Sequence, residues 1–372
     1  MALSPLAIDL YLPAMPVIAE QLSTDMPTMQ NTLSIYLIGY GLGLFFFGPQ
    51  ADKRPRRQLV LLGVSGFLLA TLILPFVTSV EQFLVVRFVQ AFISSAATVT
   101  VPGTIREKFG KDTAKGLSYV SMIMMFAPMI APAIGSGLMW LHNWQLIFYA
   151  LAAYTLLVLL LIWRFLPNSE HSNQAVNISF ISRYKIVLGH HGARLDLICS
   201  MMISLAFFAY ITAIPFVYLS VFKVTEFEFS ALFAINVFAL MTAHFINAKL
   251  VVRKGSRRML TAGVIVAFIS ASLLVIFVAL ELNVIAIALV IIPLMGSISM
   301  VAVNADALIL QEFAEQSGTA TAVIGVLRFG IGALAGPILA VFYTGTAMPF
   351  SLLMWLSVCV VVICQLLKRR DS

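Results

Sequence analysis

Residues 53–77 read KRPRRQLVLLGVSGFLLATLILPFV, a cationic loop followed by an uncharged run from Gln58 to Val77. A helix of about 20 residues rises about 30 Å, which matches the hydrocarbon thickness of a bilayer. Inside that layer the backbone finds no water to bond with, so such a run must satisfy its own N–H and C=O groups as a helix. The pattern recurs along the whole chain. Spans are predicted at 1–19, 29–48, 58–77, 82–105, 116–140, 146–166, 196–220, 230–248, 259–280, 284–310, 317–343 and 350–367.

Composition agrees with that reading. Of 372 residues, 61% are hydrophobic and 10% charged, whereas soluble domains are about a quarter charged. The uniform apolarity of the runs excludes the in-out alternation of an outer-membrane barrel. A net charge of +7 could suggest nucleic acid, but the cations sit in short loops and line no helix face, so no nucleic-acid partner is expected. Cys199, Cys359 and Cys364 fall inside apolar runs without metal-type spacing and read as small core residues; no metal is expected. No phosphate-binding loop or nucleophile–base set is present, which disfavours an ATP-driven pump and an enzyme. Met1–Ile8 lacks the basic start of a signal peptide, and none is expected.

Orientation follows from the loops. Lys53 to Arg57, Arg106 to Lys115, Arg164 to Arg194, Lys249 to Arg258 and Lys368 to Arg370 hold 20 of the 23 Lys and Arg residues, all on one side of the predicted topology. The opposite side holds Lys223, while Arg87 and Arg328 lie within spans. By the inside-positive bias, the even-numbered loops and both termini are cytoplasmic. A polar segment at 167–195 reads as a cytoplasmic linker between halves at 1–166 and 196–372, the second ending in a short basic tail. The halves echo each other: Arg56-Arg57 precede Gly63 as Arg257-Arg258 precede Gly263. The fold class expected is therefore an all-α membrane protein of about twelve helices in two pseudo-symmetric six-helix halves, a plan shared by many secondary carriers.

Several motifs are specific. The run from Gly48 through Asp52 and Lys53 to Arg56-Arg57 resembles the 2–3 loop signature of the major facilitator superfamily (MFS). Asp9-Leu10-Tyr11-Leu12-Pro13-Ala14-Met15-Pro16 resembles the first-span run of the bicyclomycin-resistance (Bcr/CflA) drug exporters. Arg87-Phe88-Val89-Gln90-Ala91 is similar to their R-x-x-Q-G motif, and 317–333 to their eleventh span. The resemblance covers nearly the whole chain. It implies proton-coupled export of small molecules through a bacterial inner membrane by a monomer, driven by the proton gradient without a cofactor. The chain departs from the pattern at Gln50, Pro55 and Ala91, and carries Asp306 where the family usually has an uncharged residue. Few apolar residues precede Asp9, so the first helix is expected to lack part of its cytoplasmic half.

Each charge inside a span costs about 2.5–3.5 kcal/mol on insertion scales and calls for a reason. Asp9, followed by Pro13 and Pro16, and Arg87 have comparable predicted depths. They are expected to pair across the first and fourth helices, either as a proton-coupling site or as a static lock. The resemblance implies that Asp52, with its neighbouring arginines, latches the cytoplasmic side; the alternative is that the loop's cations only fix topology. Asp306, near the cytoplasmic end of span ten, either snorkels to water or forms a second titrating site. Arg328, at mid-depth, should attract an anionic or carbonyl-bearing solute or neutralise a carboxylate. Asn31, Tyr36, Tyr40, Tyr119, Tyr210 and Asn236, with Arg328, form the expected small-molecule pocket. Pro128, Pro132 and Gly135 form the expected helix-bending motif. Alternatives remain open: an exporter of one endogenous metabolite, such as an amino-acid derivative or siderophore, or a degenerate membrane protein that does not transport.

Overall fold

The computed structural model describes residues 2–51, 54–101, 104–105, 113–141, 143–166, 189, 191–313 and 317–370. Among them there is helix and no strand. The helices are α1 (Leu3–Asp9), α2 (Met15–Gln21), α3 (Met26–Ala51), α4 (Arg56–Ile73), α5 (Val80–Thr98), α6 (Thr113–Met139) and α7 (Gln145–Phe165). They continue as α8 (His191–Pro215), α9 (Glu226–Lys254), α10 (Ser256–Ala279), α11 (Val284–Glu312), α12 (Ser317–Gly332), α13 (Ala335–Val341) and α14 (Met348–Arg370). Eleven stretches among the described residues are long and apolar enough to cross a bilayer; the described apolar part of α6, Phe126–Met139, is shorter. The α1–α2 pair makes the first span and α12–α13 the eleventh.

Breaks fall where residues cannot donate. Pro13 and Pro16 interrupt the first span with a 3-10 turn at Leu12–Ala14, because proline lacks the N–H that a continuing helix needs. The eleventh span breaks between Gly332 and Ala335, just before Pro337. By contrast, α6 runs through Pro128 and Pro132 without a break. After Pro215, α8 loosens into a π-helical turn at Phe216–Val221.

The chain divides into two compact units, Met1–Asn177 and Ile178–Ser372, built on one plan. In the first, α3 and α4 pack on α5, and α4 also on α7; in the second, α9 and α10 pack on α11, and α10 also on α14. Details repeat about two hundred residues apart. Ser23 and Lys223 are both left-handed, with φ of 51° and 54°. The next helix then starts under a side-chain cap: Thr28 N–H donates to Asp25 Oδ1 at 2.9 Å, and Glu228 N–H to Thr225 Oγ1 at 3.2 Å in a reciprocal capping box. Thr28 holds the Asp25 carboxyl below its ordinary range. The stability from that cap is therefore present above the ordinary carboxylate value and lost as pH falls through the lower folded one. Gly63 abuts Ala97 of α5 as Gly263 abuts Val301 of α11.

Candidate functional site

The site in the first unit begins with how closely α3 and α5 approach. A Cβ on Gly39 would lie 2.5 Å from the Phe88 carbonyl oxygen, and one on Gly43 would collide with Phe92 and Ser95. Small residues one helical turn apart thus let the two backbones touch. That contact brings Tyr36, one turn before Gly39, against Arg87.

Arg87 is fully buried. Its guanidinium carbon sits 4.6 Å from the Tyr11 ring centroid and 4.4 Å from that of Tyr36, a cation between two aromatic rings. Nη1 donates to Gln90 Oε1 at 2.8 Å, and Gln90 Nε2 donates to Thr71 Oγ1 at 2.7 Å, linking α5 to α4. Thr32 donates to the Met29 carbonyl, so the 2.7 Å bond between Tyr11 and Thr32 has the tyrosine as donor. The Nε and Nη2 atoms of Arg87 and the Tyr36 hydroxyl are buried without hydrogen-bond partners.

Asp9 ends α1 and is 3% exposed, with Oδ1 buried and without a partner. The expected Asp9–Arg87 pair is not made: among the described residues no ion pair joins them, and Arg87 is held by rings and Gln90 instead. The physical reason is local. The chain turns out of α1 at Leu10, so Tyr11, two residues beyond the acid, is the residue that lies on the guanidinium.

Gly135 packs on this turn. A Cβ there would run into the Leu10 carbonyl and close on the Pro13 ring. Because the obstacle is backbone, Gly135→Val should force the break apart and destabilise the protein by about 2–3 kcal/mol, in the range of overpacked cores. Gly137→Val, on the same helix with open space around it, should be near neutral. Thermal unfolding of the two variants in detergent tests the contrast, and equal melting temperatures would refute it.

At the loop end of this unit, Arg57 Nη2 donates to the Trp163 carbonyl near the end of α7 at 2.8 Å. In the second unit, Arg257 reaches Gln365 Oε1 near the end of α14 at 3.2 Å. The echoed arginines thus make the same tie between the third and sixth helices of their units. Arg257 also grips Asp196 at the start of α8 with both nitrogens, at 3.0 and 3.1 Å, and Lys368 pairs with the same acid. Arg56 is half-buried, and a Cβ on Gly48 would meet open space. Asp52 and Lys53 lie outside the described residues.

The residues expected to form one pocket are drawn from both units. In the first, Tyr36 and Tyr40 are buried, and Asn31 has a buried Oδ1 without a partner. Tyr119 lies in α6. In the second, Asn236 donates to the Tyr210 hydroxyl at 2.9 Å, and Phe233 stacks on the Tyr210 ring. Arg328 donates from Nη2 to Asp306 Oδ2 at 2.5 Å, while Ser200 donates to Oδ1 at 2.7 Å. Asp306 therefore does not simply extend to water. Tyr11, Thr71, Ser200 and Asp196 were not singled out from the sequence. Tyr11 stands inside the quoted first-span run, and Asp196, an acid opening an apolar run, carried a signal of its own.

Two units on one helical plan, each with charged groups inside its spans, define a multi-pass membrane transporter. A model of the Major Facilitator Superfamily matches residues 1–337. A bicyclomycin resistance protein homolog from Haemophilus influenzae is 30% identical over 364 residues, covering 97% of this chain and 91% of that protein. A chloramphenicol resistance protein from Pseudomonas aeruginosa is 32% identical over 171 residues, covering 45% and 41%. The fold is similar to that of the nucleoside transporter NupG, with a TM-score of 0.75 at 12% identity covering 98% and 95%. It is also similar to the inward-open xylose transporter XylE from E. coli, with 0.72 at 15% covering 98% and 93%. The chain belongs to the major facilitator superfamily and, within it, to the bicyclomycin-resistance (Bcr/CflA) family of transporters. It is a transporter and not an enzyme.

Proposed function

We propose that this transporter exports small amphipathic drugs or related metabolites from the bacterial cytoplasm across the inner membrane, in exchange for protons. In this reading it works as a monomer with both termini cytoplasmic and needs no cofactor beyond the proton gradient. The observation that carries the reading is a buried carboxyl, Asp9, with an oxygen that has no partner. It lies two residues from the ring that covers a buried arginine.

Removing a charge from water is costly, and a proton neutralises that charge on a carboxylate. The break at Leu12–Ala14 places the acid at the last helical residue before the chain leaves regular helix, and such a break is tolerated in transporters where backbone is shielded by protein or lines a cavity. Arg87 supplies the fixed cation. Rearrangement of the Tyr11–Arg87–Tyr36 stack would change the surroundings of Asp9 and so couple proton uptake to the conformational cycle. The drug-resistance names of the relatives support amphipathic drugs as the solutes.

The test is efflux from an efflux-deficient strain expressing the chain. Wild type should confer uncoupler-sensitive extrusion of a cationic dye such as ethidium, and Asp9→Asn should reduce it at least about tenfold at equal membrane abundance. Undiminished proton-driven efflux by Asp9→Asn would remove Asp9 from the mechanism. Correct insertion with no efflux of any solute by wild type would favour a non-transporting protein.

A further inference from the structure

We propose that the Ser200–Asp306–Arg328 cluster in the second unit is a carboxylate-exchange site: Asp306 occupies Arg328 in the empty protein, and the carboxylate of a solute displaces it. This rests on the export reading and narrows it to solutes that include amphipathic monocarboxylates.

Three helices build the cluster. Asp306 lies six residues before the end of α11 and Arg328 eleven after the start of α12, which run in opposite senses through the layer. Their Cα atoms therefore differ in depth by about 7 Å at 1.5 Å per residue. The long arginine side chain covers that distance and ends on Asp306 Oδ2. Ser200 of α8, itself buried, donates to the other oxygen.

The arrangement is under-used on the arginine's side. One nitrogen, Nη2, makes the pair, and Nε is buried without a partner. A guanidinium offers a planar fork suited to two-point capture of a carboxylate, so a single-point contact leaves recognition capacity idle. The Arg328 and Asp306 side chains are also 32% and 25% exposed. Charges within a span turn to protein interior or water and not to lipid, so the exposed edge of the pair is open to solute.

The chemistry selects the ligand. One guanidinium balances one negative charge, so a monocarboxylate that takes Arg328 leaves the local charge unchanged when the displaced Asp306 carboxylate takes up a proton. A phosphate dianion would leave a charge unbalanced. Ser200 gives Asp306 a second partner that persists when the arginine is taken, so the displaced acid stays beside the site and can reclaim Arg328 when the solute leaves.

The probe pair is 4-phenylbutyrate and its methyl ester, with binding measured by calorimetry on the full chain in nanodiscs. Wild type should prefer the acid. Asp306→Asn removes the internal competitor and should tighten acid binding about tenfold or more, the effect of one charge-assisted contact, while leaving the ester unchanged. Arg328→Gln should bring acid affinity down to that of the ester. Arg328→Lys, which keeps the charge without the fork, should fall between. Ester binding and helical circular dichroism report whether each variant is folded. Equal affinity for acid and ester in Asp306→Asn, or no binding of the acid to it, overturns the proposal. Ethidium efflux separates the two readings. Efflux without acid preference rejects the exchange site alone, whereas acid preference without any efflux supports the site and rejects export.

Discussion

Arg87→Lys should abolish most proton-driven efflux while the protein still folds and inserts. The guanidinium lies 4.6 and 4.4 Å from two tyrosine ring centroids while donating to Gln90. Away from water, each such ring contact contributes about 2 kcal/mol. A lysine ammonium is compact and strongly hydrated; it cannot lie flat between two faces and reach Gln90 as well. Losing one face and the Gln90 bond shifts the arrangement by about 2–3 kcal/mol, or about 30- to 150-fold in its population. Uncoupler-sensitive efflux from inverted vesicles reads the activity, and membrane abundance reads folding. Tyr36→Phe is the internal control. Its hydroxyl has no partner and the ring face survives, so efflux should stay within about twofold, whereas Tyr36→Leu should lose as much as the lysine variant. Full activity in Arg87→Lys would reduce the residue to a bare charge.

The second large effect is on stability. Asp196 is 1% exposed and accepts from Arg257 and Lys368, which reach it from the starts and ends of different helices. Removing one partner of a fully buried pair typically costs about 3–5 kcal/mol. Arg257 is 40% exposed, so water screens part of the loss, and Asp196→Asn should cost about 2–3 kcal/mol. Two cations share one acid, which makes their removal non-additive. Arg257→Met or Lys368→Met alone should each cost under about 1 kcal/mol, because the other remains. The double variant strands the carboxylate and should exceed their sum by about 1 kcal/mol or more. Thermal unfolding of the four proteins in detergent, followed by circular dichroism, checks this, and simple additivity would count against a shared acid.

Much of this was legible in the sequence, for a physical reason. A bilayer accepts apolar helices of one approximate length, so hydropathy located most described spans to within a few residues, as in 58–77 against Arg56–Phe76 and 350–367 against Met348–Lys368, while 82–105 overran Val80–Thr98 and 230–248 fell short of Glu226–Lys254. The repeat was visible in Arg56-Arg57 and Arg257-Arg258, of which Arg57 and Arg257 make the same tie to a neighbouring helix end. The partners of buried charges were not legible. Asp9 and Arg87 have comparable predicted depths, but whether two side chains at one depth meet depends on helix rotation, and a 3-10 turn at Pro13, with Pro16 just beyond, resets that rotation. Asp306 looked able to reach water because its distance from the helix end is known from sequence. The arginine that holds it, on the next helix, is not. In the same way the contact of Gly39 with Phe88, which turns Tyr36 onto Arg87, was not legible in the sequence.

The interrupted first span also has a mechanical meaning. Beyond the joint at Leu12–Ala14, α2 is a rod of seven residues, about 10 Å long, so a tilt of about 10° carries its far end about 2 Å. That end is moored: Trp144 Nε1 donates to Gln21 Oε1 at 2.5 Å, and the indole is wedged edge-on against Phe83 and Phe148. A short lever with a pivot near the acid, buried side chains along its length and a hydrogen-bonded tip can stop in few positions. Its geometry favours switching between discrete angles over drifting through them.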